Sequence, residues 1–130
     1  MNDKETTVDW VSRRSECSIT AVFLSLKAAI ERDVEVRNKI SKETSKHYCF
    51  GFKDNGDSFN VFTEAAKNTK ILDFKLTDHY ITVGSNGNVT LKAGITLDSE
   101  CECKLVVDGQ EVYDWQFRKM ALEALFFGER

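Results

Sequence analysis

Three dipeptides, Asn55-Gly56, Asn86-Gly87 and Asp108-Gly109, punctuate this 130-residue chain after its first 50 residues, and the chain contains no proline at all. Average usage would supply about six prolines at this length, so glycine and asparagine must make the turns. An Asx-Gly pair suits a two-residue hairpin loop, because a type I′ turn needs positive φ at both central positions. The residues on either side alternate between apolar and polar, the period of a half-buried strand. The chain from about 48 to 114 is thereby constrained to antiparallel hairpins.

The side chains test each register. A two-residue loop at Asn55-Gly56 sets Asp54 opposite Asp57, Phe52 opposite Phe59, Phe50 opposite Val61 and Tyr48 opposite Thr63, the last three pairs on one face. A loop at Asp108-Gly109 sets Val107 opposite Gln110, Leu105 opposite Val112 and Cys103 opposite Asp114. Between them, alternation predicts strands near 70–76, 80–84 and 88–97, carried by Leu72, Phe74 and Leu76, by Ile81 and Val83, and by Val89, Leu91, Ala93, Ile95 and Leu97. The sum is a meander of six or seven strands.

Helices flank it. From about 9 to 41, Ile19, Val22, Phe23, Leu26, Ile30, Val34 and Ile40 recur at helical spacing, which predicts one long helix with Asp9 as N-cap. Its later turns are polar, with Asp33–Arg37 and Glu35–Lys39 as i,i+4 pairs. A second helix spans about 114–127 and stops at Gly128. The fold class is α+β in a single domain over 1–130, with 42% hydrophobic residues to fill its core.

Charge and motifs exclude more than they assign. Residues 1–47 carry nine Lys and Arg against eight Asp and Glu, and residues 48–130 carry nine against thirteen, so +1 and −4 recover the net −3. Basic residues come in ones and twos, a poor footprint for nucleic acid. Ser12-Arg13-Arg14 ahead of the apolar run Ile19 to Ile30 has the outline of an export signal. Lys27 interrupts that run, though, and the helical pattern continues past it without a small-residue cleavage site. Twelve residues are too few to span a membrane. Asn88-Val89-Thr90 is a formal glycosylation sequon at a hairpin turn, without meaning in a cytoplasmic protein. No G-x-S-x-G elbow, P-loop or dinucleotide fingerprint occurs. Asp78-His79 falls in a turn, Glu100 and Glu102 on a solvated strand face, and Asp73 on an outward face beside Ile71 and Lys75.

Four cysteines in no framework spacing suggest reduced thiols and a cytoplasmic location. His47, Cys49, Cys101 and Cys103 form a His-x-Cys and a Cys-x-Cys pair, a Cys₃His set that could hold zinc. Strand parity opposes this. Cys101 and Cys103 share the apolar face of Leu105 and Val107, while Cys49 points away from the Tyr48, Phe50 and Phe52 face. The cysteines read as core side chains, and no metal or cofactor is expected.

The last helix exceeds what its fold needs. Gln116, Lys119 and Glu123 form a narrow polar stripe, and apart from Arg118 the rest is apolar. A helix on one sheet face needs an apolar arc of about a third of its circumference. The surplus makes Trp115, Met120, Leu122, Phe126 and Phe127 candidates for a subunit or partner interface. The reading is a non-catalytic cytoplasmic binding or adaptor protein, homodimeric, with no nucleic-acid or membrane partner. The alternative is a small-molecule-binding domain or enzyme with its pocket between the sheet and the first helix.

Overall fold

The computed structural model describes residues 8–43, 49–63 and 70–128, with side chains 42 and 43 excepted. Three helices and seven strands run in the order α1 (Trp10–Glu16), α2 (Ile19–Glu43), β1 (Phe50–Asp54), β2 (Ser58–Thr63), β3 (Ile71–Leu76), β4 (Ile81–Ser85), β5 (Asn88–Leu97), β6 (Cys103–Val107), β7 (Gln110–Val112) and α3 (Asp114–Phe127). Every strand pairs antiparallel with its neighbour in sequence, so the sheet order is β1 through β7. This is the α+β meander that alternation and turn chemistry imply.

The second and third hairpins follow their predicted chemistry. Asn86 and Gly87 have φ of 56° and 83°, and Asp108 and Gly109 have 53° and 79°, so both central residues are left-handed in each turn. Val107 pairs with Gln110 and Leu105 with Val112, as the pattern requires. Gly109→Val should cost about 1–3 kcal/mol, because a β-branched residue strains in that region. A denaturation midpoint equal to the parent's would refute the turn assignment.

The first hairpin differs. Asp54 pairs with Phe59, Phe52 with Val61 and Phe50 with Thr63, two residues out of the expected register. Only Gly56 takes positive φ there, at 88°. The loop widens to four residues because other bonds are available. Asn55 N–H donates to the Ser58 carbonyl at 2.8 Å, and the Asp54 carboxylate accepts from Gly56 N–H at 2.9 Å. Lys27 on α2 clasps the same turn, donating to Asp54 at 2.9 Å and to the Gly56 carbonyl at 2.8 Å. A slip of two keeps every side chain on its own face, so Phe50, Phe59 and Val61 are still buried. Tyr48 lies outside the described residues.

The helical segment also differs, being broken at Cys17 and Ser18. Asp9 caps α1, accepting from Ser12 N–H at 3.2 Å. Ser18 opens α2, its hydroxyl accepting from Ala21 N–H at 3.1 Å. Cys17 is buried between them and joined by a disulfide to Cys103, 86 residues away. Helix α1 itself buries no residue.

Helices α2 and α3 cover one face of the sheet, where α2 meets β1 and β3 and α3 meets β6. Phe23, Leu26, Ile30 and Val34 of α2 and Phe117, Leu122 and Phe126 of α3 are buried against the sheet's Phe59, Phe74, Ile81, Val83 and Leu105. Phe59 stacks on Phe74 at 4.7 Å between ring centres, with Phe23 at 5.4 Å. Asp73 occupies the opposite face, as parity predicts, hydrogen-bonded to Asn60 on the neighbouring strand. The exposed edge of β1 is met by α2: Asn38 accepts from Phe50 N–H at 2.8 Å and donates to its carbonyl at 2.9 Å. A side-chain amide thus completes hydrogen bonds that an edge strand leaves open.

Candidate functional site

Helices α2 and α3 touch through two arginines. Arg118 of α3 donates Nη1 to both carboxylate oxygens of Asp33, at 2.8 and 2.7 Å, and Nε to Asp114 at 2.9 Å. Burial pulls the Arg118 pKa down, but the two carboxylates outweigh it and hold the guanidinium charged. Arg37 of α2 donates Nε to the Phe126 carbonyl at 3.0 Å and Nη1 to Ser41 Oγ at 2.7 Å. Its guanidinium lies over the rings of Phe50 and Phe127, at 5.4 and 4.7 Å from their centres. The predicted Asp33–Arg37 pair is therefore replaced: each residue reaches across to α3. Arg118, the one break in an apolar helix face, has Asp33 as its reason.

Between these helices runs a groove of about 340 Å³, lined among others by Val36, Trp115, Leu122, Phe126 and Phe127. Its floor is the buried pair Leu122 and Phe126, and its rims are the exposed Val36, Trp115 and Phe127. Lys119 and Glu123, joined by a 2.9 Å ion pair, lie on the α3 rim. Helix α3 starts where Gln116 Oε1 accepts from Tyr113 N–H at 2.8 Å. Asp114 in its first turn suits the positive end of the helix dipole.

The five predicted interface residues divide. Leu122 and Phe126 belong to the monomer's own core, at 3% and 8% exposure, while Trp115 at 56% and Phe127 at 60% stand in solvent. Met120 is exposed too, but outside the groove lining. Helix α2 packs on part of the apolar surface of α3, and part, including Trp115 and Phe127, is open to solvent. The α2 wall of Asp33, Val36 and Arg37 escaped the sequence reading, although an arginine on an apolar face is itself a signal that a carboxylate is near.

The cysteines do not converge. Cys103 shares the strand parity of Leu105 but stands exposed at the start of β6, bonded to Cys17, which corrects both the core reading of its side chain and the expectation of four reduced thiols. Cys101 precedes β6 in a turn, with φ of 64°, not on the strand. That turn is organised by Asp98, whose carboxylate accepts from Glu100 and Glu102 N–H groups at 2.8 and 2.9 Å. The Glu102 amide, with Lys104 alongside, holds Asp98 below the usual carboxylate range. Cys49 is free and exposed just before β1, with four strands between β1 and β6. His47 lies outside the described residues. Among the described residues, no group of three or more His, Cys, Asp or Glu side chains is placed to hold a metal ion.

Where the alternative reading needs a pocket, between α2 and the sheet, the space is occupied by Phe23, Leu26 and Ile30 packed on Phe59 and Phe74. A second, more polar cleft of about 560 Å³ opens beside the disulfide, lined by Arg14, Cys17, Asp78, His79 and Tyr80 among others. Asp78 and His79 are exposed there in the β3–β4 turn. Among the described residues, no buried side-chain nitrogen or oxygen lacks a hydrogen-bond partner. No family model matches the chain, and no curated protein or solved structure matches it.

Proposed function

We propose that this chain is a non-catalytic binding or adaptor protein that works as a homodimer, with the groove between α2 and α3 as its contact face. One observation carries the reading: an apolar groove open to solvent, floored by core residues and rimmed by Trp115 and Phe127. Aromatic side chains standing out of a rigid helix present large contact area at little entropic cost, the usual make-up of an interface centre.

Its compartment enters by chemistry. The cysteine spacing alone points to the cytoplasm, whereas a Cys17–Cys103 disulfide is a bond that oxidising compartments sustain. We place the folded form in such a compartment. No helix among the described residues is long and apolar enough to cross a membrane. The small-molecule alternative draws its support from the cleft beside the disulfide, where Arg14 and His79 offer polar contacts.

Sedimentation equilibrium at tens of micromolar should give twice the monomer mass. A Trp10→Phe variant leaves Trp115 as the sole tryptophan of the original two. Its emission should shift to the blue, and resist acrylamide, as concentration rises through the dimerisation range. A strict monomer with freely quenched Trp115 would sink the homodimer reading.

A further inference from the structure

Trp115, Lys119, Glu123 and Phe127 recur at every fourth position of α3, so they form one ridge along the helix. Trp115 and Phe127 are more than half exposed, as are the side chains of Lys119 and Glu123, at 59% and 57%. The ridge is about 18 Å long at 1.5 Å per residue. In order it carries an aromatic, a cation, an anion and an aromatic, and both ends are equally far from the level of Ala121.

That order is self-complementary. We infer that a second copy of this chain docks on the ridge across a two-fold axis level with Ala121, with the two α3 helices antiparallel. Trp115 then meets Phe127 of the second copy, and Lys119 meets Glu123 of the second copy. Within each chain Lys119 and Glu123 are already 2.9 Å apart, so the four charges close into a ring of alternating sign. Parallel docking would instead set Lys119 against Lys119 and Glu123 against Glu123, a like-charge arrangement that opposes association. The two-fold condition is met because each contact is repeated once in the opposite sense. The groove floor residue Phe126 lies beside the ridge, level with Trp115 of the second copy. This pairing rests on the homodimer reading and names its contacts.

Charge exchange tests it. Lys119→Glu alone and Glu123→Lys alone each set like charges across the axis, twice per dimer. Each should weaken self-association by about tenfold or more at low salt, and less at high salt. Equimolar mixing of the two single variants should restore a dimer containing one of each, and the double exchange Lys119→Glu/Glu123→Lys should dimerise alone. Both positions are exposed, so circular dichroism melts of the variants should show a folded monomer. A wild-type dimer whose single variants associate undiminished, or whose variants fail to pair on mixing, overturns this docking and leaves the homodimer reading standing. A monomeric wild-type chain overturns the homodimer reading and this pairing with it.

Discussion

Phe59→Ala should remove about 3–5 kcal/mol of stability, the usual range for deleting a buried phenyl ring. A domain of this size has only about 5–15 kcal/mol in total, so the variant should lose its midpoint by a large margin or fail to fold. The position concentrates contacts: the ring is 0% exposed and has Phe74, Phe23 and Phe52 around it at 4.7, 5.4 and 5.3 Å. These neighbours come from α2 and two other strands, so the cavity cannot close by moving one element. Urea denaturation followed by circular dichroism reads the loss directly. A deficit under about 1 kcal/mol would mean that the core is not built around this ring.

Reducing the Cys17–Cys103 disulfide should produce the second large effect. Closing a loop across a separation of 86 residues is worth about 4–5 kcal/mol on the chain-entropy account, since it restricts the unfolded state. Reductant, or Cys17→Ser, should therefore lower the melting temperature by on the order of 15 °C or more. Alkylation of the native protein before reduction should label two thiols, Cys49 and Cys101. Four labelled thiols, with a melt indifferent to reductant, would show that the bond is not part of the native protein.

These two predictions come from different depths of legibility. Alternation alone places Phe59 on the core face, and a two-residue shift of its partner leaves that face unchanged. Type I′ chemistry is local, so Asn86-Gly87 and Asp108-Gly109 announce their turns in the residues themselves. Asn55-Gly56 misled because its loop is set by Asp54 and by Lys27, 27 residues from Asp54 in the chain. The helix break at Cys17 was invisible for the same reason at greater range, since its pairing with Cys103 is fixed by tertiary structure. Ser18, a good N-cap residue directly before an apolar one, was the available hint. On α3 the composition told how much apolar surface there was, but not which part α2 would cover. That division needed the Asp33–Arg118 contact, which ties the two helices together.

The meander also has a schedule. With each strand paired to the one before it, the sheet can grow as the chain emerges, adding one hairpin at a time. The disulfide cannot follow that order, for Cys17 precedes all seven strands and Cys103 begins the sixth. At synthesis rates of about 5–20 residues per second, Cys17 waits roughly 4–17 s for its partner. During that interval Cys49 is the first thiol to appear after it, and Cys101 arrives just ahead of Cys103. Fidelity then depends on β1 to β5 assembling early enough to carry Cys49 to the far edge of the sheet, out of reach before the correct thiol is made.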